Sequence, residues 1–133
     1  MFKMKFKYKK IGDKYFSVVP VILRENANLV PVAALIDTGA SYSVFKSSIG
    51  EELGINITSG EKRTPTIGDG NKITIYIHEV ETIIAGKIIR DAKIGFSDEL
   101  GTAFNLLGRE TIFDKFEICF NDKKKLMRFT QLC

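Results

Sequence analysis

Tryptophan is absent from this chain, histidine occurs once, cysteine twice and proline three times. With His78 alone and Cys119 distant from it in sequence, the side chains that usually hold transition metals do not cluster. No metal or other cofactor is therefore expected. No apolar run reaches the roughly 20 residues that a bilayer-crossing helix needs. The first ten residues alternate Lys with apolar residues instead of carrying the continuous apolar core of a secretory signal. Without export, Cys119 and Cys133 read as free thiols in a reducing compartment. Cys119 lies in an apolar stretch and is expected in the core. The address implied is the cytoplasm, with no membrane partner.

What the chain does contain suits a soluble globular protein. Its 133 residues, 44% of them apolar, suffice for one domain with a real core, spanning residues 1–133, and are few for two. The net charge is +4, and the cations gather in Lys3–Lys10 and Lys123–Arg128. Solvated strand faces or turns are the ordinary reading of such runs. A nucleic-acid partner is not expected, because the clustered aromatics that stack bases are missing.

The periodicity is that of strands. Phe2, Met4, Phe6 and Tyr8 alternate with lysines, which predicts a strand with one wet face. Residues 15–36 read as a hairpin turning at Glu25–Asn28, with Pro20 at an edge or bulge. After a small-residue loop, Val44–Leu53 has helical spacing, with Ser43 as N-cap and Gly54 past the end. Gly68-Asp69-Gly70-Asn71 turns a second hairpin between Arg63–Ile67 and Lys72–Ile84. Ala85-Gly86-Lys87 turns a third, and Glu110–Phe116 reads as a short helix before a closing hairpin. Many short strands with one or two short helices predict a mainly β protein, a closed or partly open barrel.

The chemistry gathers at Leu35-Ile36-Asp37-Thr38-Gly39-Ala40. An apolar strand delivers an acid to its end, and a small-residue loop then offers backbone N–H donors to it. Such a setting can hold a carboxylate at a useful pKa. Asp and Gly are also ordinary turn residues, so the tripeptide alone reads as a strand-end turn. The second half supplies a matching element, Leu106-Leu107-Gly108-Arg109, again an apolar pair running into Gly.

In this order and spacing, the hairpin into Asp37-Thr38-Gly39-Ala40, the Gly68-Asp69-Gly70 hairpin and Leu106-Leu107-Gly108-Arg109 resemble the retropepsin-like aspartic peptidases over roughly residues 15–130. The resemblance implies a barrel of that type. It also implies an aspartic endopeptidase in which two Asp residues share a proton and activate a water. It makes Asp37 the catalytic acid and base. Thr38 locks paired loops, Gly39 and Ala40 complete the loop, Gly68, Asp69 and Gly70 form a flap over a peptide or unfolded-protein substrate, and Leu106, Leu107, Gly108 and Arg109 support the site. Only one Asp-Thr/Ser-Gly occurs in the sequence, so a dyad requires a homodimer. Retroviral members carry an acid two positions after the motif's Gly, meeting the later Arg; here that position is Ser41. A non-catalytic dimerisation or peptide-binding module is the alternative.

Overall fold

In a computed structural model, which describes residues 2–68, 70–101 and 104–132, twelve strands follow in chain order. They are β1 (Lys3–Lys7), β2 (Lys9–Ile11), β3 (Lys14–Phe16), β4 (Val18–Glu25), β5 (Asn28–Ile36) and β6 (Ser43–Lys46). A short helix, α1 (Ser47–Glu52), precedes β7 (Glu61–Arg63), β8 (Ile75–Ile84) and β9 (Lys87–Ser97). The last are β10 (Asn105–Leu107), β11 (Phe116–Asn121) and β12 (Leu126–Gln131).

Six strands close a barrel in the order β4-β5-β10-β6-β9-β8, with β8 returning to β4 through Val21↔Ile84 to Arg24↔Glu81. The mainly β barrel expected from the strand pattern is thus present. Alternation fixes which face goes in. Along β4, Val19, Val21 and Leu23 are buried while Pro20, Ile22 and Arg24 face water, the period-2 arrangement that shields one face of a strand. Pro20 stands just before the β8 pairing begins at Val21, the stretch where β4 has a single neighbour, as a residue without an N–H prefers. The β8–β9 hairpin turns through Ala85 (φ 49) and Gly86 (φ 76), the paired positive angles that match strand twist.

The sequence reading of the central helix needs correction. Residues 43–46, expected to open that helix, form β6, which runs parallel to β9 and antiparallel to β10. Only Ser47–Glu52 is helical, and its N-cap is Lys46, without a side-chain capping bond. Ser43 is no cap. Ser43, Val44 and Phe45 are all buried, so β6 is covered on both faces and loses the alternation that marks a strand. Gly54 does end the helical segment, at φ 80. The short helix expected over Glu110–Phe116 is a single 3-10 turn, Phe113–Lys115.

Beside the barrel, both ends of the chain form one sheet, β1-β12-β11. Its inner face brings Phe129 edge-on to Phe6 (5.5 Å) and Phe116 (5.3 Å). Its lysines point outward. Cys119, expected in the core, is exposed on β11; Cys133 lies outside the described residues. Tyr8 donates to Asp122 at 2.7 Å, and partial burial together with this bond pushes its hydroxyl pKa up to about 12. No described helix is long and apolar enough to cross a membrane.

Candidate active site

Asp37 stands where β5 leaves the barrel wall. Its own N–H donates to the Leu107 carbonyl (3.0 Å), continuing the parallel β5–β10 ladder one step beyond Leu107↔Ile36. The chain then reverses, with the Ala40 N–H donating to the Asp37 carbonyl (3.2 Å). This turn aims the Gly39 N–H at Asp37 Oδ1 (3.1 Å). The half-buried carboxylate is thereby held in place by a loop donor. Gly39 does not use left-handed backbone; the described glycines that do are Gly12, Gly54, Gly70, Gly86 and Gly101. Its contribution is the missing side chain, which leaves the loop open beside the carboxylate.

The segment after β10 grips this loop. The Gly108 N–H donates to Ser43 Oγ (3.0 Å), the Arg109 N–H to the Ala40 carbonyl (2.9 Å) and the Glu110 N–H to the Ser41 carbonyl (2.9 Å). Arg109 Nη1 donates to the Thr38 carbonyl (3.2 Å), and its guanidinium stands 5.4 Å from the Phe113 ring centre. The partner that Ser41 cannot offer Arg109 is therefore a backbone oxygen. Gly108 is obligatory here, since a Cβ would lie 2.3 Å from the Tyr42 carbonyl oxygen.

Opposite the loop, the second hairpin narrows to a loosely bonded arm. β7 and β8 pair through Glu61↔Ile77 to Arg63↔Ile75. Beyond them come a Thr66↔Lys72 bridge and the Ile67–Asn71 turn, with Gly70 at φ 87. Asp69, counted with Gly68 and Gly70 in the flap, lies outside the described residues. Between arm and loop is a cleft of about 390 Å³. Asp37, Gly39 and Ala40 form one wall, Ile67 and Gly68 the other, with Tyr42, Val44 and Leu106 also lining it. Asp37 is the only carboxylate among the described lining residues. Beneath the arm, Val44, Ile73, Ile75 and Leu100 form a small apolar core.

A family model described as Aspartyl protease matches residues 19–111. The chain belongs to the aspartyl protease family. The match begins in β4 and ends just beyond Arg109, so it holds the loop, the hairpin arm and the gripping segment of this aspartyl protease in one stretch. A retropepsin-like aspartic protease from Rickettsia conorii shares its fold, with a TM-score of 0.71 and 17% identity over 95% of this chain and 97% of that one. EIAV protease, in complex with the inhibitor HBY-793, is similar at a TM-score of 0.54 and 22% identity, over 80% of this chain and 93% of that one. No curated protein matches the chain by sequence.

Of the residues singled out from the sequence, Asp37, Thr38, Gly39 and Ala40 meet Leu106, Leu107, Gly108 and Arg109 in this aspartyl protease. Gly68 meets them across the cleft. Thr38 and Arg109 are exposed, and Leu106 and Leu107 carry the ladder that sets Asp37. Sequence reasoning missed Ser43, Tyr42 and Val44. Ser43 was legible as an inward residue only with Ser43–Lys46 read as a strand, which puts it in step with Phe45.

Proposed function

We propose that the protein is an aspartic endopeptidase working as a homodimer, each chain giving one lobe and one Asp37 to a shared carboxylate dyad. The observation that carries this reading is Asp37 as the one carboxylate of the described cleft wall, facing a flap-like arm in a chain of the aspartyl protease family. Exposed Thr38, Gly39 and Ser41 leave the loop's outer side accessible to a second copy about a two-fold axis, the commonest symmetry for a dimer. Thr38 would then meet its counterpart across that axis, Gly39 and Ala40 would carry substrate backbone, and the Gly68–Gly70 tip would cover it.

Two carboxylates in contact hold one proton between them, since both cannot ionise easily. The ionised member takes a proton from a bound water as its oxygen attacks the scissile carbonyl carbon. The protonated member gives its proton to the carbonyl oxygen. Collapse of the tetrahedral adduct breaks the C–N bond, and the amine leaves with a proton returned from the dyad. Two carboxylates and a water complete this cycle. The substrate is an extended or unfolded polypeptide, because a peptide bond must lie flat between loop and flap. The exposed thiol of Cys119 fits work in a reducing compartment such as the cytoplasm.

The test is cleavage of an unfolded protein between about pH 4 and 6 by wild type and by Asp37→Asn. The expected outcome is turnover by wild type and loss of at least about a thousandfold in the variant. Equal rates would overturn the role of Asp37, and an inert wild type that still binds peptide and dimerises would instead establish a non-catalytic module.

A further inference from the structure

The two basic segments, remote in sequence, meet in the terminal sheet. Residues 1–16 hold six lysines and one acid, and residues 116–133 hold four cations and two acids, a net +7. The whole chain is +4, which leaves −3 on everything else, the catalytic cleft included. On the outer face of β1, Lys3, Lys5 and Lys7 stand in line, and β12 places Arg128 directly across from Lys5. Among the described residues none of these four cations has an ion-pair partner; the described ion pairs are Arg24 and Arg90 with Glu81, Arg63 with Glu61, and Lys115 with Asp114. A groove of about 1050 Å³ runs over Lys3, Lys5 and Arg128 and is lined also by Thr130, Glu117 and Cys119, with Arg128 Nη2 donating to Cys119 Sγ at 3.8 Å.

We propose that this groove is an accessory binding site for acidic, extended polypeptide segments. Its cations repeat at every second strand residue, about 6.8 Å apart, which is also the repeat of alternate side chains in an extended peptide. Three cations in the groove, with Lys7 next in line on β1, together strengthen attraction to an anionic partner and speed its capture. The groove lining has no aromatic ring to stack a base and no large apolar side chain to enter a bilayer, which separates it from nucleic-acid and membrane surfaces. A second copy of this face would meet it with like charge. The peptidase reading enters only in making the bound segment part of a substrate, drawn to a molecule whose remaining residues are net negative.

Anisotropy of a fluorescein-labelled, Glu-rich peptide tests the site without turnover, in wild type and Asp37→Asn alike. Both should bind it equally. Affinity should fall about tenfold or more in Lys3→Gln/Lys5→Gln/Arg128→Gln, and should largely vanish between about 0.05 and 0.5 M salt. Glu117→Gln, which removes the one acid of the groove, should bind more tightly. No binding at low salt, an affinity unmoved by either variant, or tighter binding of single-stranded DNA or anionic vesicles by the same residues overturns the proposal. Failure of Asp37→Asn to lose cleavage would count against the peptidase reading alone.

Discussion

Gly108 and Ser43 are the two residues on which the shape of the active loop depends most. A Cβ on Gly108 would press into the Tyr42 backbone at 2.3 Å and the Ala40 carbonyl oxygen at 3.0 Å, contacts that only movement of the loop can relieve. Gly108→Ala should therefore cost about 2 kcal/mol or more and lower cleavage even where the protein remains folded. Ser43→Ala strands the buried Gly108 N–H and should cost about 1–3 kcal/mol. Urea unfolding checks both; a variant as stable and active as wild type would show that the loop is held by something else. At this scale, Asp37, Thr38, Gly39 and Gly108 were legible because their types are rare in combination: an acid and two glycines placed at the ends of apolar pairs. Ser43 was not, because a lone hydroxyl beside an apolar run looks the same as a helix cap until its backbone state is known. Gly39 was legible in place but not in role, since it supplies open space rather than an unusual dihedral.

The element that faces the active loop is the arm between β7 and β8. It touches the barrel through Ile67 and Ile73, while Gly70 turns its tip at φ 87, a region costly to any residue with a Cβ. Gly70→Val should lower kcat/KM for a long peptide by about tenfold and cost the about 1–3 kcal/mol of stability that one strained residue carries. An unaltered kcat/KM would remove the arm from catalysis. Strands with one wet face, such as β1 and β4, were legible from alternation alone. The strand β6 was not, because burial on both faces erases the period-2 signal, and Val44–Leu53 then shares its spacing with a helix. Residues 113–115 stop at one 3-10 turn because the backbone of Arg109 and Glu110 is engaged with the loop and because Phe116 already begins β11, pairing with Gln131.

At the scale of the whole molecule, closure of the barrel through β4 and β8 positions one acid in one cleft, and the terminal sheet gathers the positive charge to one side. Neither the closure nor the meeting of the two basic segments can be read from sequence, since both depend on pairings more than 50 residues apart. The sequence holds a single Asp-Thr-Gly acid, Asp37, and under the proposed dyad this makes the chemistry a property of two chains. Mixing subunits tests this most directly: wild type is equilibrated with increasing Asp37→Asn protein at fixed wild-type concentration, and cleavage of an unfolded protein is followed. If each dyad needs one Asp37 from each chain, activity falls as inactive mixed dimers form. Wild-type homodimers are the square of the wild-type fraction of a dimer pool that grows as variant is added, so at fixed wild-type concentration activity falls in direct proportion to that fraction. Activity that stays constant as the variant is added would contradict the shared dyad and place the whole catalytic apparatus within one chain.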